Sequence, residues 1–174
     1  MKKKCTFSIS DIDAGWFDMD FKIDEKIATS IFASYIMNGK TSSKGLLILL
    51  TNLITEKIDT GYVLFYREPG TDVLSLEKDI LTIAYSKEYA TEIDLYGNMT
   101  FDEISNIIDI EKIDLQEEID IKILIYSVYK AFYKYANNRL LYNKYEENWD
   151  YFPCKEWENF EQKKKKKGWN KTDL

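Results

Sequence analysis

From Trp16 to Asp24 the side chains alternate in character. Phe17, Met19, Phe21 and Ile23 fall on one side, and Trp16, Asp18, Asp20, Lys22 and Asp24 on the other. A period of two is the geometry of a strand, so this stretch predicts a strand with one buried face. Thr6 to Ser10 alternates more weakly and predicts a first strand ending in a turn at Asp11 to Gly15. Asp24-Glu25-Lys26 is a short connection, and the β-branched and aromatic run Ile27 to Ile36 should pair back as a hairpin. Asn38-Gly39-Lys40 ends that strand. Thr41, Ser42 or Ser43 then caps a helix carrying Leu46, Leu49, Leu50, Leu53 and Ile54, which stops near Glu56 to Gly61. Tyr62 to Arg67 and Val73 to Leu76 read as strands joined by the turn Glu68-Pro69-Gly70-Thr71, with Ile80 to Tyr85 and Thr91 to Tyr96 continuing the meander. Thr100 and Glu103 have capping-box spacing, which starts a short helix with Ile104, Ile107 and Ile108.

The period then lengthens. Asn98 to Phe152 contains neither glycine nor proline, the strongest interrupters of regular structure. Within it, Asp114 to Asn148 predicts one long helix or two abutting ones. Ile121, Ile125, Val128, Phe132 and Ala136 recur at spacings of three and four, and Leu115, Ile119, Tyr126, Tyr129 and Tyr133 widen the face. A helix that apolar needs a cover, and the β-rich half supplies one. The predicted fold is α+β: an antiparallel meander of about six strands packed on the inserted helix and a long C-terminal helix. Residues 1–162 form one domain in this reading. Pro153 interrupts the helical pattern, and the block Lys163 to Lys167 opens a lysine-rich, disordered tail over 163–174.

At 174 residues the chain is long enough for a core without disulfides or metal. Cys5 and Cys154 lie at opposite ends without metal-ligand spacing, which predicts two reduced thiols in a cytoplasmic protein. No apolar run approaches the roughly 18–20 residues needed to span a bilayer, so no membrane partner is expected. The net charge of −6 hides an asymmetry. Setting aside the nine lysines and one aspartate of the two termini (residues 2–4 and 163–174), residues 5–162 hold 15 basic and 29 acidic side chains, a net of −14. A body that acidic speaks against nucleic acid as a partner and for a basic macromolecule. It also aids solubility.

The chain has no histidine, which removes Ser-His-Asp and Cys-His nucleophilic sites and most zinc hydrolase sites. No glycine-rich nucleotide-binding motif is present. Enzymes without histidine rely on carboxylates, and Asp11 with Asp13 and Asp18 with Asp20 are pairs two residues apart that could hold a divalent cation. The same positions are the solvated side of a half-buried strand, and that reading is preferred. No catalytic residue, metal site or cofactor is therefore expected. Polar-tipped aromatics belong to interfaces as well as cores. The expected partner contacts are Trp16, Asp18, Asp20, Glu92 and Asp94, on the polar sides of predicted strands, and Glu68 and Asp72 on the turn.

Between Ser34 and Ala84 the order of features resembles a family of small bacterial proteins from polymorphic-toxin and contact-dependent-inhibition immunity loci. The matching pieces are Ser34-Tyr35 at a strand end, the run Leu46-Leu47-Ile48-Leu49-Leu50, the strand Val63 to Tyr66, the Glu68-Pro69-Gly70 turn, and the strands Leu74 to Leu76 and Leu81 to Ala84. The chain departs from the family in placing Thr71-Asp72-Val73 after the turn, where an aromatic is usual. The resemblance implies an immunity-type inhibitor that neutralises a cognate toxin, such as a basic nuclease, by non-covalent contact. Two rival classes are a carboxylate-dependent metalloenzyme built on Asp11, Asp13, Asp18 and Asp20, and a non-catalytic adaptor.

Overall fold

The structure is a computed structural model, and it describes residues 1–35 and 42–169. The strands β1 (Cys5–Asp13), β2 (Trp16–Ile23) and β3 (Lys26–Ser34) form one antiparallel sheet in chain order. The helix α1 (Ser42–Ile54) leads to β4 (Thr60–Tyr66), β5 (Thr71–Glu77), β6 (Ile80–Ser86), β7 (Tyr96–Gly97), α2 (Phe101–Ser105) and β8 (Lys112–Glu118). These five strands make a second antiparallel sheet in the order β7-β4-β5-β6-β8. The chain closes with α3 (Ile121–Ala136), α4 (Arg139–Asn148) and α5 (Cys154–Lys166). The class is α+β, as the sequence predicts, but the meander is divided between two sheets. Among the described residues no helix is long and apolar enough to cross a membrane.

The two sheets differ in what they bury. In the second, Val63, Phe65, Leu74, Leu76, Leu81 and Ile83 enter the main core, which also takes in α1, α3 and both aromatic ends of the C-terminal helices. The opposite side chains, Tyr62, Leu64, Tyr66 and Val73, pack against Ala90 and against Ile104 and Ile108 of the α2 region. A sheet buried on both faces reads as continuous apolar sequence, which is why β4 has no alternation. The first sheet buries Phe7, Phe17, Met19, Phe21 and Ile31 on one side and turns its other side outward. That asymmetry leaves one face of the first sheet without a covering layer.

Three segments depart from the predicted elements. The predicted helix from Asp114 begins only at Ile121, because Leu115 to Glu118 pair with β6 as part of the edge strand β8. Asp120 sits at the N-cap of α3, its side chain accepting the Lys122 amide. A second cap, Asn138, accepts the Leu140 and Leu141 amides and starts α4, so the spine is two helices broken at Asn137 and Asn138. Thr91 to Tyr96 is a loop rather than a strand, apart from the β-pairing of Tyr96 and Gly97 with β4. Its alternating Ile93 and Leu95 pack as a cover on the outer face of the second sheet, which mimics strand periodicity. Finally, Lys163 to Lys166 belong to α5 instead of a tail. Lys164 is 3 % exposed, with its ammonium 4.0 Å from the centre of the Tyr129 ring and donating to the Trp169 carbonyl at 3.0 Å. Residues 170–174, the Ile36 strand end, the Asn38-Gly39-Lys40 turn and the Thr41 cap lie outside the described residues.

Other local predictions hold. The Glu68-Pro69-Gly70 turn joins β4 to β5, and Gly70 is needed there: φ is +102° and an added Cβ would lie 2.3 Å from the Ser86 carbonyl oxygen. The capping box is complete, with the Glu103 amide donating to Thr100 Oγ1 and the Thr100 amide donating to Glu103. Thr100→Ala should lower unfolding stability by about 1 kcal/mol in urea titration, because it leaves helix-start amides unpaired.

Candidate partner interface

The outward face of the first sheet is fixed by register. Across β1, β2 and β3 the residues align as Asp13, Trp16 and Ser34; then Asp11, Asp18 and Phe32; then Ser8, Asp20 and Ser30. A bulge between Ile9 and Asp11 makes this possible. One extra residue resets the alternation, so Phe7 and Ile12 both point inward while Asp11 and Asp13 join Asp18 and Asp20 outside. The acidic turn expected at Asp11 to Asp13 is thus the end of β1, and the turn itself is Ala14 and Gly15. Four carboxylates share three rows of a sheet whose strands are about 4.8 Å apart.

Their compensation is incomplete. Lys144 of α4 bonds Asp11 at 2.8 Å, and that hydrogen bond holds the Asp11 pKa below its ordinary value. Ser30 Oγ donates to Asp20 at 2.6 Å. Asp18, opposite Asp11, has one carboxylate oxygen shielded from solvent without a hydrogen-bond partner. Burial pushes its pKa up, and repulsion from Asp11 and Asp20 adds to the shift. Like charges directly across a strand pair cost stability. A cation brought to this face relieves that cost. Beside the carboxylates stand Phe32, 43 % exposed, and the half-buried Trp16.

Of the expected contacts, Trp16, Asp18 and Asp20 come together here. Glu68 joins them at one end, because its carboxylate accepts the hydroxyl of Ser34, the residue aligned with Trp16. Asp72 does not. It is 2 % exposed, lies opposite Phe65 on the inward side of β5, and has Arg67 Nε 3.7 Å away as its ion-pair partner. In sequence it reads as a turn residue; pairing with β4 begins at Thr71 and turns Asp72 inward. Glu92 and Asp94 are exposed but sit on the loop that covers the second sheet, where the Asp94 carbonyl accepts the Tyr62 hydroxyl. They are not part of this face. Sequence reasoning missed Phe32 and the counter-ion Lys144. Phe32 carries a weak signal, since it lies between the inward Ile31 and Ala33, whereas Lys144 is 133 residues from Asp11 and carries none.

Among the described residues no group of three or more histidine, cysteine, aspartate or glutamate side chains is placed to hold a metal ion. Asp11, Asp13, Asp18 and Asp20 are distributed over three rows of the first sheet. Cys5 is buried, its thiol pushed up to about 12 by desolvation, and Cys154 is exposed; both are free. Comparison with known protein families, with curated proteins and with solved structures finds no match for this chain.

Proposed function

We propose that the chain is a non-catalytic inhibitor that binds a basic protein through the outward face of its first sheet, as an immunity protein binds its cognate toxin in the cytoplasm. The observation that carries this reading is the under-compensated cluster of Asp11, Asp18 and Asp20 beside the aromatics Phe32 and Trp16. Carboxylates steer and orient a cationic partner, and aromatics in desolvated contacts supply most of the affinity. A nuclease fits as the target, since proteins that bind phosphate chains carry basic surfaces which an array of carboxylates can occupy. The Ser-Tyr, leucine-rich and Glu-Pro-Gly resemblance points the same way.

The test is affinity capture from the native host, followed by expression of the captured polypeptide alone and beside this chain. A basic polypeptide that is toxic alone and harmless with this chain supports the reading. The double variant D18K/D20K should then weaken binding by at least about a hundredfold, with most of the loss in the association rate at low salt. Neutralisation of the toxin by D18K/D20K at undiminished affinity would place the interface elsewhere, and recovery of no toxic partner would remove the inhibitor reading.

A further inference from the structure

Helix α3 contains no acidic residue. Its exposed side carries Lys122, Lys130 and Lys134, spaced with Tyr126 and Tyr133 along one flank. The lysine-rich end of α5 packs alongside, Trp157 stacking on Tyr129 and Lys164 lying over the Tyr126 and Tyr129 rings. Lys130 stands between two concavities of about 330 and 400 Å³ beside β1: the smaller is lined by Ile9, Ala131 and Lys134, and the larger by Ile123 and Tyr126 together with Lys4, Asp24 and Glu25.

The molecule therefore carries two unlike surfaces with complementary features. One has carboxylates and the protruding Phe32, with Ile27, 61 % exposed, in the neighbouring row opposite Lys22. The other has lysines and, between Lys130 and Lys134, a recess without carboxylates of a size to accept such a side chain. We propose that a second copy of the chain occupies the α3 surface, its first-sheet face docked against Lys122, Lys130 and Lys134, so that the protein self-associates head to tail. The inference rests on the reading that the acidic face is a docking surface for cationic protein, and it adds that the chain's own basic helix competes for it. Because the two surfaces differ, each bound copy leaves one face open at either end, and association continues as a series of oligomers. Salt weakens it, since exposed charges are screened within about 8 Å at physiological ionic strength. A basic partner on the acidic face dissolves it.

Sedimentation velocity on the purified full chain tests this without any partner. At low salt the weight-average mass should climb with concentration past the dimer, and at about 0.5 M salt it should return to the monomer. The variants D18N/D20N and K130E/K134E should each be monomeric under both conditions. Mixed one to one, they should form a heterodimer that grows no further, because each supplies the face the other lacks. Thermal melts of both variants confirm that they fold. A wild-type chain that stays monomeric at low salt overturns the proposal. So does a wild-type dimer abolished by K130E/K134E but untouched by D18N/D20N, which would be a helix-to-helix pair. Either result leaves the inhibitor reading intact, whereas failure to capture a toxic basic protein beside a positive sedimentation result would leave self-association as the established use of the acidic face.

Discussion

Tyr145→Ala should cost about 3–5 kcal/mol of unfolding stability, enough to bring a domain of ordinary stability to the edge of unfolding. Tyr145 is fully buried and is the point where α4 meets the first sheet. Its ring stands edge-on to Phe17 of β2 at 5.9 Å, to Tyr135 of α3 at 6.0 Å and to Phe152 at 5.2 Å. Its hydroxyl shares a hydrogen bond of 2.8 Å with Ser43 at the start of α1. Burial raises the phenol pKa, so the group stays neutral throughout the physiological range. Removing the ring leaves a cavity bordered by three aromatic side chains that cannot all collapse into it. Tyr145→Phe separates the two contributions: it keeps the ring and loses the hydroxyl pair, at about 1 kcal/mol. Urea titration of both variants reads the effect. A Tyr145→Ala variant within about 1 kcal/mol of the wild type would mean that α4 does not close the core.

Asp72→Asn is expected to raise stability at neutral pH and to have little effect near pH 4. The Asp72 carboxyl is buried, one oxygen has no hydrogen-bond partner, and Arg67 is too far for more than a Coulombic contact. Desolvation pushes its pKa up to about 7 from an ordinary 3.8; Arg67 opposes the shift and Asp114 adds to it. Between those pH values the native state holds a proton that the unfolded chain has released. Stability from this group is therefore fully present below about pH 4 and is lost as pH rises toward 7, the reverse of a salt-bridged carboxylate. A shift of that size corresponds to at most about 4 kcal/mol, and the measured gain should be smaller because Arg67, stacked 3.9 Å over the Tyr85 ring, loses its anionic neighbour in the variant. The measurement is the difference in urea midpoint between wild type and D72N at pH 4 and pH 7.5. A difference independent of pH would show that Asp72 is ionised throughout.

The two residues also mark what was legible. The apolar periodicity around Ile125, Val128 and Phe132 predicts a buried helical face, and all three are buried. That Tyr145 would be its keystone was not legible, because its importance comes from Phe17 and Ser43, each more than a hundred residues away. Asp72 reads as an exposed turn acid, since every local signal around Glu68-Pro69-Gly70 is a turn signal; its burial is a fact of strand register. The sequence extends the helix back into the edge strand β8 because a continuous run without glycine or proline hides the boundary that Asp120 sets.

The candidate interface divides in the same manner. By itself the sequence determined the α+β class, the alternation that turns Asp18 and Asp20 away from Phe17, Met19 and Phe21, the capping box at Thr100, and the acidity of the body, because each follows from neighbours within a few residues. Only the tertiary structure decided that the strands part into two sheets, that a bulge brings Asp11 and Asp13 to the same face, that Lys144 neutralises one carboxylate and leaves Asp18 strained, and that Glu92 and Asp94 lie elsewhere. Those outcomes depend on which distant segments pair and pack, and the free energy that selects them comes from burial shared across the whole core.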